Sequence, residues 1–458
     1  MTRSTAIAAA RSAFDDGSFL ALLARRVAVR SESQDPAQAA QLRAYLDEQI
    51  APSFADLGLR CELIENPVAG GGPFLFAERR EEGATATVFT YGHGDVIRGQ
   101  DDQWKSGLSP WHVMRDGDRI YGRGTADNKG QHTINQLALA SVLATRGRLG
   151  FNLKVLFETG EETGSPGLRE LCTRERDKFA ADVLIASDGP RLAASQPTIF
   201  LGTRGAANFD LEVNLRSGAH HSGNWGGLLK NPGSVLAHAI ASITTPQGAI
   251  RVPEWRPESL TPSVRAALAG LDVDGGEGGP AIDIDWGEPG LTSAERVYGW
   301  CSFEVLAFRT GNPDKPVNAI PGRANAHCQL RFVVGVDPHD IVPALRRHLA
   351  REGYPEVSVT ESRDGFFAAT RLDPEHPWVK RVQASMERTA GARVAVLPNL
   401  GGSLPNDIFS DVLGLPTVWI PHSYGGCSQH APNEHLLAPV AREALGLMAG
   451  VWWDLGEE

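Results

Sequence analysis

Ala84-Thr85-Ala86-Thr87-Val88-Phe89-Thr90-Tyr91 runs directly into Gly92-His93-Gly94-Asp95. The first stretch has the β-branched and aromatic content of a buried strand, and the second is a glycine-flanked turn bearing an imidazole and a carboxylate two residues apart. The arrangement returns three times. Residues 151–157 (FNLKVLF) lead to Glu161-Glu162-Thr163-Gly164-Ser165, residues 182–186 to Ser187-Asp188-Gly189, and residues 417–420 to the segment 422–430. Helical patterns surround these strands at 18–30, 37–58, 129–146 and 374–390. The alternation predicts an α/β fold built on a mostly parallel sheet with helices on both faces. Open sheets of this kind bind ligands beyond the carboxyl ends of their strands, which is where the acids and histidines fall.

The middle of the chain has a different rhythm. Strand patterns at 207–215, 301–309, 324–334 and 356–361 are accompanied by only two helical stretches, 233–243 and 338–351. Strands with few helices predict an antiparallel α+β insert over 205–363, which leaves the first domain in two pieces, 1–204 and 364–458. Within the insert, 244–294 is rich in Pro, Gly and acids and reads as an irregular excursion. Its Asp272-Val273-Asp274-Gly275-Gly276-Glu277 lacks the length and terminal Glu of a calcium loop and reads as a solvated turn. There is no internal repeat of solenoid length.

A chain of 458 residues exceeds one typical core, in keeping with two domains. Hydrophobic residues at 42% and charged residues at 22% describe an ordinary globular protein. The net charge of -11 repels phosphate backbones and argues against a nucleic-acid partner. Cys61, Cys172, Cys301, Cys328 and Cys427 are scattered, with no Cys-x-x-Cys, which predicts reduced thiols in a cytoplasmic protein. Residues 1–30 interrupt their apolar positions with charges, unlike a signal peptide, and no apolar run is long enough for a membrane span.

Each acidic or histidine segment alone has a bland reading. His93-x-Asp95 is common in loops. Gly122-Arg123-Gly124-Thr125-Ala126-Asp127-Asn128-Lys129-Gly130 resembles a dinucleotide loop, but Asp127 stands where the third glycine belongs and no ribose-binding acid follows. A carboxylate in a turn that opens a helix suits instead a ligand shared by two cations. Adjacent Glu161 and Glu162 after a buried strand repel each other unless a cation or proton compensates. If one of them ligates a metal, the other can take a proton from an attacking water; equally, two exposed acids suit a helix N-terminus. Asp188 and His430 would complete a second ligand set, or be a turn acid and a surface-loop histidine. Imidazole and carboxylate ligands with open positions suit zinc in hydrolysis, and cobalt or manganese could also fill them.

Taken together and in this order, the segments, with His430-Ala431-Pro432-Asn433-Glu434 the last, resemble the co-catalytic zinc exopeptidases and deacylases. That family includes carnosinase-type dipeptidases, glutamate carboxypeptidases, acetylornithine deacetylase and succinyl-diaminopimelate desuccinylase. The resemblance extends roughly over 20–449. It implies a metal-binding catalytic domain interrupted by a lid and dimerisation domain, and two divalent ions, zinc first among them. It places His93 and Asp188 on one ion, Glu162 and His430 on the other, and Asp127 between them. Glu161 would be the general base and acid, and Asp95 would orient the His93 ring. The Asp127–Asn128 peptide is expected to be cis.

In the insert, Gly202-Thr203-Arg204-Gly205 resembles the family's hinge. His221-Ser222-Gly223 resembles the lid histidine that reaches a neighbouring active site and stabilises the oxyanion, which implies a homodimer through the lid. Asn318-Ala319-Ile320-Pro321 with Arg331 resembles the substrate clamp, where the fork of a guanidinium suits a carboxylate. Gly401-Gly402-Ser403 resembles the loop that holds the same carboxylate, so Gly402 and Ser403 join the expected substrate site. The plain readings of these positions are a surface turn, a strand-surface arginine and an ordinary turn. Two departures stand out. Ser109-Pro110-Trp111 replaces the common Asp-Pro-Phe, and His220 precedes the lid histidine where another residue is usual. Cys427 is expected to pack rather than ligate.

The resemblance implies a metal-dependent hydrolase that cleaves the amide bond of a small peptide, dipeptidase-like, with Glu161 as base. Asp rather than Glu at 188 is more usual in the dipeptidase and aminopeptidase branches. An N-acyl amino acid deacylase or a carboxypeptidase of the same family is the alternative. An inactive peptide-binding relative would typically have lost Glu161 or a ligand, and all six positions are intact here.

Overall fold

The computed structural model describes residues 1–273, 280–362 and 366–457. Asp274, Gly275, Gly276 and Glu277 of the acidic turn, and the expected 363/364 boundary, lie outside the described residues.

Eight strands form the main sheet, in the order Arg60–Ile64, Phe74–Arg79, Asn152–Glu158, Thr87–His93, Val183–Ala186, Thr417–Trp419, Thr198–Phe200, Ala395–Leu397. The four in the middle of this order, from Asn152–Glu158 to Thr417–Trp419, run parallel. Arg60–Ile64 and Phe74–Arg79 add an antiparallel hairpin at one edge, and Thr198–Phe200 with Ala395–Leu397 form a parallel pair at the other. The period-two geometry of a strand splits its side chains between two cores. Leu153, Val155 and Phe157 face the core built with the helices Arg3–Asp15, Lys129–Arg146 and Ala438–Leu455, whereas Leu156 faces the core that includes Leu168, Leu171 and Phe409. Lys154 shares that second face and stays inside by donating from Nζ to Lys178 O and Ala180 O at 2.8 and 2.6 Å.

The helix expected over 37–58 is broken. It runs as Pro36–Gln38, Ala39–Ala44, a π turn at Tyr45–Ile50, then Ala51–Ala55. Pro52 has no N–H to give the carbonyl four residues back, and a widened turn just before it accommodates the loss.

The insert forms a four-stranded antiparallel sheet, in the order Ser302–Thr310, Arg323–Phe332, Gly205–Asn214, Ser358–Glu361. The helices Pro232–Ile243 and Ile341–Arg351 contribute Leu236, Ala239, Leu345 and Leu349 to its core. The excursion is less irregular than its composition predicts, because it carries the short helices Pro262–Leu268 and Ser293–Tyr298. Ala267, Leu271 and Tyr298 from this stretch pack against the two cores of the main body.

Among the described residues no helix is long and apolar enough to cross a membrane. All five cysteines are free thiols.

Candidate active site and metal centre

The four neighbouring parallel strands end at one edge, and each delivers part of the site. Thr87–His93 ends on His93, with Asp95 just beyond; Asn152–Glu158 leads to the turn Glu161–Thr163; Val183–Ala186 leads to Asp188; Thr417–Trp419 leads into the loop that reaches His430. Asp127 comes from the glycine-rich turn before Lys129–Arg146, a helix that begins and ends where the sequence predicts. That turn requires its glycines. Gly124 has φ +87°, and a Cβ at Gly130 would lie 1.9 Å from Thr125 O.

Two triads result, His93–Asp127–Asp188 and Asp127–Glu162–His430, each with its donor atoms within 4.8 Å of one another. They share Asp127. Its Oδ1 lies 2.9 Å from His93 Nε2 and its Oδ2 3.1 Å from His430 Nε2. Asp188 Oδ2 approaches His93 Nε2 at 3.5 Å, and Glu162 Oε2 approaches His430 Nε2 at 2.9 Å. His93, Asp127 and Asp188 are buried, whereas the His430 side chain is half exposed and opens the second triad to the cleft. The Asp127–Asn128 peptide is cis.

The donor set fits divalent cations on two grounds. Imidazole and carboxylate are the usual ligands of such ions. Asp188 Oδ2 is also buried with no hydrogen-bond partner among the described residues, a position that costs free energy unless something else satisfies it. Burial raises Glu162 to about 7, with repulsion from Asp127 added, and raises Asp188 in the same way. Glu161 is pushed well above the usual carboxylate range by burial and by the charges of Asp188, Glu162 and Asp127. Although burial opposes the charge on Asp127, hydrogen bonds from His430 and His93 hold it well below that range. Hydrogen bonds to Asp127 and Glu162 lift His430 to about 11.

Several of the contacts that support the site go beyond the sequence reading. Asp95 does more than face His93 Nδ1, which lies 3.4 Å from Asp95 Oδ1. Its two carboxylate oxygens accept from the backbone N–H groups of Glu161 and Glu162 at 3.2 and 3.1 Å. Glu434 is fully buried and accepts from Arg123 Nη1 at 2.8 Å and from the backbone N–H groups of Gly124, Ala126 and Asp127. It thereby ties the His430 loop to the Asp127 turn. Asn128 Nδ2 donates to Ser187 O at 2.8 Å, joining that turn to the strand before Asp188. Gln429 Nε2 donates to Asp127 Oδ2. Beneath the Glu161 turn, Tyr91 Oη and Ser165 Oγ donate to Glu158 Oε1 at 2.5 and 2.9 Å. Trp111 of the atypical Ser-Pro-Trp segment is buried and donates to Asp101 Oδ1, with Arg30 over its ring. Cys427 is buried, 1% exposed, among the packing residues.

A cleft of about 500 Å³ runs from His430 and Gln429 to Arg331, Gly402 and Ser403. Arg331 Nη1 donates to Ser403 Oγ at 2.9 Å, and Ser403 Oγ in turn donates to Arg204 O at 2.8 Å. His221 and Asn318 do not line this cleft. They stand together at an exposed corner of the insert, where His221 pairs with Ala319 and Asn318 O accepts from Ser222 N at 2.9 Å.

Beta-Ala-His dipeptidase of Mus musculus is 28% identical to the chain, covering 91% of this chain and 89% of its own. The Cys-Gly metallodipeptidase DUG1 of Candida albicans is also 28% identical, over 91% of this chain and 90% of its own. Among solved structures, an M20 family metallo-carboxypeptidase from Sulfolobus solfataricus superposes with a TM-score of 0.76 at 25% identity, over 96% of this chain and 99% of its own. Human carnosine dipeptidase 1 shares the fold, with a TM-score of 0.74 at 22% identity over the whole of both chains. Residues 89–454 match the sequence profile of Peptidase family M20/M25/M40, a span that holds every residue of both triads. The chain is therefore an enzyme of that peptidase family.

Proposed function

We propose that the protein is a metal-dependent dipeptidase that hydrolyses the amide bond of a small peptide with a free carboxylate. The observation that carries this reading is the cleft itself, with His430 of the two triads that share Asp127 at one end and the Arg331–Ser403 pair at the other. A substrate amide beside His430 would lie in the same cleft as the guanidinium that could receive its carboxylate. The names of the mouse and Candida relatives, both dipeptidases, support the same substrate class.

His93 and Asp188 would hold one divalent ion, Glu162 and His430 the other, and Asp127 both, with zinc the expected metal and cobalt or manganese the alternatives. Bound there, such ions polarise the substrate carbonyl and acidify water. Glu161 takes the proton of the attacking water and delivers it to the leaving amine, a role that its place beside Glu162 supports. Asp95 holds the Glu161–Glu162 backbone and the His93 ring in register. Arg331 and Ser403, with the N–H of Gly402, receive the carboxylate.

The insert acts as a lid and as a dimer interface. Its edge strand Ser302–Thr310 exposes Val305, Leu306 and Phe308, and His221 and Asn318 lie outside their own cleft, available to a neighbouring one. His221 from a partner subunit would stabilise the oxyanion.

The Sulfolobus relative, a carboxypeptidase by name, favours a second reading in which a longer peptide loses its last residue; the same clamp would serve it. A hydrolysis screen of free dipeptides, longer peptides, and N-acetyl, N-succinyl and N-carbamoyl amino acids, with zinc, manganese and cobalt each supplied, separates these readings. Cleavage of free dipeptides is expected. Efficient turnover of N-acyl amino acids with no cleavage of dipeptides would overturn the proposal.

A further inference from the structure

A second cavity, of about 360 Å³, adjoins the carboxylate end of the cleft. Val297 lines both spaces. Arg204 lines the cavity, and its Nε donates to Gly401 O in the cleft wall at 3.0 Å. The volume falls within the range of about 300–1,000 Å³ typical of small-molecule sites.

Three features suit the cavity to an occupant. Its walls are largely apolar, and two of them, Trp286 and Ile282, leave 53% and 45% of their surface open. The wall is nevertheless fixed in place. Arg296 Nη1 donates to Trp286 O at 2.6 Å, and the indole lies so close over Gly248 that a Cβ there would meet Trp286 Cε2 at 2.6 Å. Trp300, also in the lining, has an indole N–H that is buried with no acceptor among the described residues. A rigid, partly aromatic hollow with a spare donor is a binding geometry.

Its position says which group would enter. The charge of Arg331 opposes that of Arg204, and neither guanidinium forms an ion pair with a carboxylate among the described residues, although Glu304, which also lines the cavity, attracts Arg204 from a longer distance. Each instead spends a donor on the loop Gly401–Ser403. Two part-buried guanidiniums that make no carboxylate ion pair among the described residues are stabilised by an incoming carboxylate. A residue whose carboxylate is held there carries its side chain on the next carbon, two bonds from the carboxylate carbon, which would bring it toward Val297, shared by the cleft and the cavity. We propose that this cavity receives the side chain of the substrate residue that bears the free carboxylate, and that it selects large apolar or aromatic side chains at that position. The proposal rests on the reading of Arg331 and Ser403 as the carboxylate clamp.

Two measurements test it. In the first, kcat/KM is compared for dipeptides that share an N-terminal residue and end in Gly, Leu or Phe. The wild-type chain should favour Phe or Leu over Gly by about 10-fold or more, and Trp286→Ala and Ile282→Ala should collapse that ratio mainly through KM. Val297→Trp, which narrows the mouth, should reverse it. In the second, free Phe and free Gly are titrated into the Glu161→Gln chain by calorimetry. Phe should bind more tightly, and the difference should vanish when Trp286→Ala is added. Dipeptide turnover with no side-chain preference, or a preference unmoved by Trp286→Ala, Ile282→Ala and Val297→Trp alike, would overturn the subsite while leaving the dipeptidase reading intact. Absence of dipeptide turnover would sink that reading, and the calorimetric comparison would still decide the subsite: equal binding of Phe and Gly rejects it.

Discussion

At one end of the cleft stands His430, and behind it Asp127, Glu161, Glu162 and Asp188 crowd around two imidazoles; at the other stands Arg331, with Arg204 behind the Gly401–Ser403 loop, and neither guanidinium forms an ion pair with a carboxylate among the described residues. Each end repels itself, and each is stabilised by a ligand of opposite charge. The two ends are also built differently. The acidic end grows from four adjacent parallel strands of one sheet and is braced from behind by Asp95 and Glu434. The basic end spans two bodies: Arg331 lies on Arg323–Phe332 of the insert, and Ser403 on a loop of the main domain. The contrast teaches that the expected chemistry is anchored on the ends of one sheet, while the expected recognition is placed where two sheets meet.

The sharpest way to break this comparison is to remove the proposed base from the rigid end. Glu161→Gln should retain both metals and the fold while turnover falls by about 10²–10⁴, the usual size of lost proton transfer. Metal content is read by elemental analysis and turnover by dipeptide hydrolysis. A metal-replete variant with wild-type turnover would remove Glu161 from its role.

The next effect concerns rigidity rather than chemistry. Arg123 and Glu434 are both 1% exposed, and Arg123 Nε and Nη2 have no hydrogen-bond partner among the described residues. Glu434→Ala strands a buried guanidinium and frees three backbone N–H groups, at a cost of about 3–5 kcal/mol. Urea denaturation should show that loss, with a smaller one for Glu434→Gln, which keeps the shape and one acceptor. Wild-type stability in Glu434→Ala would mean that the acidic end is not braced by this residue.

How far the sequence anticipates each end follows from the same contrast. The helix Lys129–Arg146 and the four central strands are legible because continuous apolar runs are bounded by glycine-rich turns. Thr198–Phe200 and Ala395–Leu397 are too short to show a period, and Arg60–Ile64 alternates charge with partial burial at the sheet edge. The helix Ala438–Leu455 is buried on nearly every side, so it lacks the polar stripe by which helices are recognised. The expected metal ligands are visible as motifs because each sits at a strand end or in a glycine-rich turn. Glu434 was visible only as a neighbour of His430, since its partners lie about 310 residues away. The Trp286 cavity was hidden for a related reason: the excursion's composition suggests an irregular stretch, and only the packing of Ser293–Tyr298 shows that it builds a wall.

At the basic end the expected effects are smaller. Arg331→Ala should raise KM with little change in kcat, by a clamp worth roughly 1.5–3 kcal/mol. The same variant should be indifferent to amidation of the substrate carboxylate, which in the wild type should cost a similar amount. An Arg331→Ala chain that still discriminates against the amidated substrate would place the carboxylate elsewhere, with Arg204 the first candidate.

The smallest signal tests whether the lid completes a site across two chains. His221 lies on an exposed corner and does not line its own cleft, so under the proposed function a partner chain would have to supply it to the oxyanion. Glu161→Gln chains retain His221, and His221→Ala chains retain Glu161; each homodimer is inactive. In a mixed dimer one cleft regains both residues if His221 acts in trans, and the other has neither. With random pairing in a two-fold dimer, about a quarter of the wild-type sites should recover. The measurement is dipeptide hydrolysis after the two variants are exchanged, with the mixed species confirmed by native mass spectrometry. Recovery near that fraction would assign the oxyanion to the partner's lid. Well-exchanged mixtures that stay inactive would return His221 to its own subunit or remove it from the chemistry, and the basic end alone would then be what spans two bodies.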